Sequence, residues 1–182
     1  QFITILEKYP REEIEEIRPV VIHAQIIKKE QLIKLKELNV IPSFFNTHIY
    51  YWGAIHIKNL GWKRAKNISP AKTAKDLQLK FTFHQDSPVL PPNMLENVWC
   101  AVNRITKEGQ VLGEEEKIDV YSALKAITIN GAYQYFEEDQ KGSLKVGKIA
   151  NMVLLNENPL KVNKQKIKEI EILKIFIKGE EV

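Results

Sequence analysis

Three short apolar runs, each ending near a polar side chain, limit what this chain can fold into more than any other feature. They lie at Pro19–His23, Val40–Phe45 and Lys80–His84. Continuous apolar runs with β-branched residues are typical of strands that are buried on both faces. A surface helix predicted over Lys28–Leu38 joins the first two runs. A long loop that carries His48, Trp52 and His56, followed by short helical pieces, joins the second run to the third. This alternation predicts parallel βα units, and therefore an α/β fold.

The second half of the chain has a different pattern, with predicted helices followed by short apolar runs. Helices are predicted over Met94–Ile105 and over Asp119–Phe136, where Asp119 can act as the N-cap because its carboxylate accepts free amide protons of the first turn. Further along, short apolar runs at Met152–Leu155 and Ile172–Ile177 are separated by glycine and proline. These runs predict the strands of a small, separate β-element.

Composition excludes several classes of protein. With 44% hydrophobic residues and a net charge of +4, the chain is not disordered. Its longest apolar runs fall far short of the ~20 residues that a membrane helix needs, so we expect no membrane partner. A single cysteine, Cys100, excludes an internal disulfide and a cysteine-based zinc finger. It favours a reducing compartment, and we expect a cytoplasmic protein.

One basic stretch suggests an alternative function. Residues 58–75 contain six lysines and arginines and no acid, with tyrosine and tryptophan close by. Basic residues mixed with aromatic rings can form a nucleic-acid surface, because cations follow phosphates and rings stack on bases. A solvated helix face explains the same pattern, and the charge of the whole chain is modest for a nucleic-acid-binding domain. We therefore expect no nucleic-acid partner and keep this surface as the weaker alternative.

Three of the four histidines lie where predicted strands end. His23 ends the first run, His48 follows the second, and His84 ends the third, two residues before Asp86. Each histidine alone is more typical of a buried core position. However, the carboxyl ends of parallel strands meet at one edge, where α/β proteins build their sites. Histidine nitrogen and aspartate oxygen are the ligands of hydrolytic zinc, and an aspartate there can also accept a proton from an activated water.

Four segments carry a resemblance to a known family. They are RPVVIHAQ at 18–25, HQDSPVLPPNML at 84–95, AVNRITKEG at 101–109 and SALKAITINGAYQYFEEDQKGSLKVGKIANMVLL at 122–155. Together they resemble the amidohydrolase superfamily, and most closely its family 3, the group of the N-substituted formamide deformylases. The part GSLKVGKIANMVLL is similar to the superfamily's usual GSLxxGKxADxVxLD. It differs by Asn151, and Asn156 follows it, at two positions where aspartate is common.

The resemblance implies a (β/α)8 TIM barrel that holds one or two divalent metals, here expected to be zinc, together with a small β-sandwich. By position, residues 1–140 correspond to about strands six to eight with their helices, and residues 141–182 to the C-terminal strands of the sandwich. The family's His-x-His of strand one occurs nowhere in the chain, which opens on Gln1. We therefore expect the C-terminal portion of a longer protein, in which a missing N-terminal portion or a homo-oligomer completes the barrel.

The resemblance also implies roles for individual residues. His23 corresponds to a metal-binding histidine at the end of strand six, and Asp86 to the strand-eight aspartate, which is a metal ligand and the general base. The candidates for substrate binding are His48, Trp52, His84 and Arg104. The implied activity is hydrolysis of carbon–nitrogen bonds other than peptide bonds in a small amide. With only two matched ligands, the isolated chain is expected to be inactive, and a non-catalytic remnant is the alternative.

Overall fold

The computed structural model describes residues 1–182 as a mixed α/β protein with two separate sheets. The first sheet contains β1 (Val20–His23), β2 (Ile41–Phe44) and β3 (Thr82–Phe83), in that order. Both pairings are parallel, and His23 lies opposite Phe44 in the register. The prediction of adjacent parallel strands in chain order is thus confirmed, although β3 is shorter than predicted.

Nine α-helices connect and flank the strands, together with two short 3₁₀ segments at Glu114–Glu116 and Lys164–Glu169. None of the helices has the length and apolar character needed to span a bilayer. The helices, in chain order, are α1 (Phe2–Leu6), α2 (Arg11–Ile17), α3 (Lys29–Glu37), α4 (His48–Leu60), α5 (Trp62–Ala65), α6 (Ala71–Asp76), α7 (Met94–Asn103), α8 (Val120–Ala126) and α9 (Ile129–Gln134).

The crossover from β1 to β2 runs through α3, close to the bounds predicted. Leu32 and Leu35 are one turn apart and fully buried, whereas Lys34 and Lys36 between and beyond them remain exposed. One apolar stripe of this kind docks a surface helix on its sheet. The helix ends before Asn39, which adopts a left-handed φ of 52° as residues at helix ends often do.

The main core lies where the parallel sheet meets the helices. It is formed by 22 buried residues, including Phe44 of β2, Leu35 of α3, Val98 of α7 and Ala123 of α8. Both β2 and β3 are completely buried. The core therefore fixes β2 and β3, and with them the edge of the sheet at which the strands end.

The burial predicted for β1 is wrong. This strand is only partly buried, and Ile22 is 54% exposed, whereas all four residues of β2 are buried. The difference follows from sheet position, because β2 has neighbours on both sides and β1 has a neighbour on one side only. An edge strand loses the cover that a central strand receives.

The segment that follows β2 was predicted as a loop and is the helix α4. Its sequence is rich in aromatic and β-branched residues, which have weak helix propensity. Packing overrides that preference: Ile49 is fully buried, and Gly53 lies so close to its neighbours that a Cβ atom there would be 2.5 Å from Thr106 Cγ2. This helix begins at the edge of the sheet where His23 and Asp86 lie.

The remaining elements follow the predictions. The predicted helix over Asp119–Phe136 is broken into α8 and α9, and Asp119 caps α8 by accepting a 2.8 Å hydrogen bond from the Ser122 amide. The second sheet is antiparallel and contains β4 (Met152–Leu155), β5 (Ile172–Ile177) and β6 (Glu180–Glu181). It forms no ladder with the first sheet.

Candidate metal centre

His23, His84 and Asp86 converge at the carboxyl edge of the parallel sheet. One possible ligand atom from each lies within 4.8 Å of the other two. His23 Nδ1 is 3.2 Å from His84 Nε2, and His23 Nε2 is 3.9 Å from Asp86 Oδ2. The prediction that His23 and Asp86 share one edge is confirmed. His84, which was expected only in substrate binding, stands beside them as a third potential donor.

Backbone geometry at this edge is unusual. His23, Ala24 and Asp86 have φ values of 66°, 43° and 54°, in the left-handed region that residues other than glycine seldom adopt. The chain therefore turns sharply at His23 and again at Asp86, two of the three candidate ligands. Strained positions of this kind cluster at functional sites, where the surrounding structure holds them in place.

An aromatic wall backs the three donors. The buried Phe45, directly after β2, has its ring centroid 5.9 Å from that of His23, 5.4 Å from that of His84 and 4.6 Å from that of His48. Trp52 extends the wall, with centroid distances of 6.0 Å to Phe45 and 4.6 Å to His48. Apolar rings on one side lower the local dielectric and strengthen interactions between charges at the site.

His84 is held in a defined orientation by β2. Its Nδ1 atom is 2.9 Å from Ser43 Oγ, which leaves Nε2 directed toward His23. Burial, together with the nearby His23, lowers the pKa of His84 to about 4. The imidazole is therefore neutral near pH 7, as a metal ligand must be. A hydrogen bond to the second ring nitrogen commonly orients a ligating histidine, and Ser43 supplies one here.

His48 and His56 form a pair along α4 that the sequence interpretation missed. His48 Nδ1 lies 3.1 Å from His56 Nε2, and Trp52 lies between the two residues in sequence. Burial lowers the pKa of both imidazoles, and that of His48 falls to about 4. The only signal in the sequence was the spacing of His48, Trp52 and His56 by four positions. This spacing brings the three rings onto one face only if the segment is a helix.

The donor set fits a hydrolytic metal ion. A tetrahedral zinc with bonds of about 2.0–2.2 Å separates its ligand atoms by about 3.3–3.5 Å, and one possible ligand atom from each of the three residues lies within 4.8 Å of the other two. Two imidazoles and a carboxylate are also the ligand types that zinc accepts in catalytic sites. The side chains of His23 and Asp86 are 45% and 41% exposed, so one side of the centre is open to water and substrate.

Comparison with known proteins assigns the chain to a family. The model of a family described as "Amidohydrolase family" covers residues 1–182. The chain belongs to the amidohydrolase family. Its relatives include the N-substituted formamide deformylase of Arthrobacter pascens, 27% identical over 112 residues, which are 62% of this chain and 21% of that protein. The putative amidohydrolase YtcJ of Bacillus subtilis (strain 168) is 25% identical over 184 residues, covering 98% of this chain and 34% of that protein.

Solved structures of metal-dependent hydrolases are also similar to this chain. An uncharacterized metal-dependent hydrolase from Pyrococcus furiosus is 29% identical, with a TM-score of 0.67 over 83% of this chain and 31% of that one. A corresponding hydrolase from Pyrococcus horikoshii OT3 is 25% identical, with a TM-score of 0.71 over 85% of this chain and 32% of that one. The amidohydrolase-family chain thus spans about a third or less of the length of these relatives.

Arg104 does not join the site of this amidohydrolase-family chain, and its predicted role in substrate binding is corrected. The side chain is fully buried. Its guanidinium donates hydrogen bonds to the main-chain carbonyls of Lys66, Ile68, Ser69 and Leu112. Burial lowers its pKa to about 10, so it stays charged at neutral pH. Its geometry is that of a structural residue that holds two loop segments together.

Three polar residues just beyond the strand ends were also missed. Both side-chain polar atoms of Gln25 and of Asn46, and the hydroxyl of Thr47, are buried with no hydrogen-bond partner in the protein. Buried polar groups nearly always have a partner, and water supplies it where the protein does not. This part of the edge is therefore polar and suited to ordered water.

Proposed function

We propose that this chain contributes the metal-binding edge of a hydrolase that cleaves carbon–nitrogen bonds other than peptide bonds in small amides. The observation that carries the proposal is the convergence of His23, His84 and Asp86 at one strand edge. The name of the Arthrobacter pascens relative, N-substituted formamide deformylase, supports the choice of bond. Family membership alone supports only a metal-dependent hydrolase.

We also propose that residues 1–140 correspond to strands six to eight of a (β/α)8 barrel and residues 141–182 to part of a β-sandwich. Three parallel strands in chain order, joined by helical crossovers, support the first assignment. A separate antiparallel sheet formed by β4, β5 and β6 supports the second. In this proposal the catalytic edge is the carboxyl end of the barrel, where such enzymes build their sites.

In the proposed mechanism, His23, His84 and Asp86 would hold a divalent ion, which we expect to be zinc. When bound, a divalent ion there supplies the positive charge that makes a neighbouring water acidic near neutral pH. Asp86 accepts the proton from that water as its oxygen attacks the carbonyl carbon of the amide. Asp86 then donates the proton to the leaving nitrogen, which departs as an amine.

Substrate binding is assigned to the aromatic wall. Trp52 is partly exposed and His48 lies against it, with their ring centroids 4.6 Å apart. A flat apolar surface beside the ion favours an amide with an apolar or aromatic substituent on its nitrogen. His48 is neutral near pH 7, since its pKa is lowered to about 4 by burial and by His56, so it offers hydrogen bonds without a charge.

Metal affinity of single variants tests this centre. His23→Ala is expected to weaken zinc binding by more than about 100-fold, because a ligand is lost, whereas Ser43→Ala is expected to weaken it about 10-fold by releasing His84. Zinc content after dialysis against a competing chelator gives the measurement. His56→Ala is the matched control, since it removes a histidine outside the donor set. Full zinc content in His23→Ala would contradict the proposed centre.

A further inference from the structure

The basic stretch at residues 58–75 divides into paired and unpaired cations. Three of its lysines are in salt bridges with carboxylates, which removes them from any anion-binding surface. The pairs are Lys66 with Glu115, Lys72 with Asp76, and Lys75 with Asp119. Lys58 in α4 and Lys63 and Arg64 in α5 have no acidic partner. The charge that remains is therefore concentrated at α5 rather than spread along the stretch.

Lys63 and Arg64 face a cleft that a second basic pair also lines. Lys28 and Lys29, at the start of α3, also line this cleft, and neither is paired with an acid. The cleft has a volume of about 1020 Å³. Small-molecule sites typically enclose about 300–1,000 Å³, so this cleft has the size of such a site. Four cations from two separate parts of the chain thus meet around one space.

Glu116 is the only acidic residue that lines the cleft, and its carboxylate is already engaged. It is 7% exposed, one oxygen accepts a 2.9 Å hydrogen bond from the Thr73 amide, and the other accepts one from the Thr73 hydroxyl. Its charge offsets one of the four cations and leaves an excess of positive charge. The cleft therefore attracts anions that carry more than one negative charge.

Two side chains of the cleft are arranged to recognise more than charge. Arg64 Nε donates a 2.8 Å hydrogen bond to the Leu60 carbonyl, which fixes the guanidinium and leaves both terminal nitrogens free. A guanidinium held in this way can bind two oxygens of a phosphate at once. Trp62 is 45% exposed in the same cleft, beside Ile26 and Leu60, and offers an apolar face for a ring.

We propose that this cleft binds a small organic phosphate that carries an aromatic group. The phosphate would lie among Lys63, Arg64 and the two lysines of α3, and the ring would pack on Trp62. A double negative charge suits the excess of cations better than a carboxylate does, and the size of the cleft favours a small molecule over a polymer. This ligand does not depend on the proposed hydrolase activity, because none of the three candidate metal ligands lines the cleft.

Calorimetric titration of the protein with phenyl phosphate tests the proposal. We expect one saturable site, weakened about tenfold or more in Lys63→Gln and in Arg64→Gln separately, since each substitution removes a charge-assisted hydrogen bond to the phosphate. Trp62→Ala should reduce the affinity to that of inorganic phosphate. Lys58→Gln is the matched control: it removes an unpaired lysine outside the cleft, and we expect a change within about twofold.

Three outcomes would overturn the proposal. Absence of saturable phenyl phosphate binding would do so, as would an equal loss of affinity in Lys58→Gln and Lys63→Gln, which would indicate general attraction to a basic surface. The third is binding of a thymidine oligonucleotide that is tighter than phenyl phosphate binding and weakened by Lys58→Gln, which would indicate a nucleic-acid surface. All four variants change exposed side chains, and thermal unfolding confirms that each remains folded.

Discussion

Replacing Asp86 with asparagine is expected to lower the rate of amide hydrolysis by the whole protein about 10²–10⁴-fold, the usual loss when a general base is removed. An amide has nearly the shape of the carboxylate, but it cannot accept the proton of the attacking water or return it to the leaving nitrogen. Asp86 lies 3.9 Å from His23 Nε2, and its side chain is 41% exposed, so its carboxylate is accessible to water. Steady-state kinetics with an N-substituted formamide gives the measurement.

Two controls keep this result specific. Asp76→Asn removes a carboxylate of α6 that pairs with Lys72 on the surface, and we expect its rate to stay within about twofold of wild type. Zinc content of Asp86→Asn separates loss of the base from loss of the ion. A rate within a few-fold of wild type in Asp86→Asn would show that another group accepts the proton.

Arg104→Met is expected to destabilise the folded chain by about 3–5 kcal/mol, because the buried carbonyls of Ile68 and Leu112 lose a donor and each unsatisfied buried acceptor costs about 1–3 kcal/mol. Methionine is long and apolar, so the substitution removes the donors with little loss of volume. Urea unfolding of wild type and variant gives the difference in free energy. Arg11→Met, an exposed arginine of α2 that pairs with Glu15, should change it by less than about 0.5 kcal/mol.

The same variant decides between two roles for Arg104. If Arg104 has a structural role, Arg104→Met causes a large loss of stability, and the KM of the fraction that folds is unchanged. Wild-type stability with a raised KM would instead support the role in substrate binding that the family resemblance implied. Arg104→Lys adds a second test, since a lysine keeps the charge but cannot reach four carbonyls with a planar fork.

The architecture was largely predictable because its signals are local. Apolar runs such as Val20–His23 and the stripe of Leu32 and Leu35 depend on residues close in sequence, and each predicted its element within a few positions. The helix α4 was missed because its aromatic residues have poor helix propensity in isolation. Its stability comes from contacts with distant residues, such as that of Gly53 with Thr106.

The position of the candidate site was predictable from the sequence, but the contacts around it were not. The topology of parallel strands places His23 and Asp86 at one edge, independently of the contacts that their side chains make. The partners of those side chains depend on three-dimensional contacts: Ser43 reaches His84 across two strands, and His56 reaches His48 over two helical turns. The burial of Arg104 directs its guanidinium to main-chain carbonyls, and no local sequence pattern distinguishes a buried arginine from one at a helix surface. The sequence therefore predicted where the chemistry lies better than which neighbours support it.

The measurement that tests the metal centre most directly is anomalous diffraction from crystals of the protein grown with zinc. Data collected on either side of the zinc absorption edge locate the ion without assumptions about its ligands. We expect one strong peak at the carboxyl edge of the parallel sheet, about 2.0–2.2 Å from a ring nitrogen of His23 and an oxygen of Asp86. A zinc peak bound by other residues, with none beside His23 and Asp86, would contradict it.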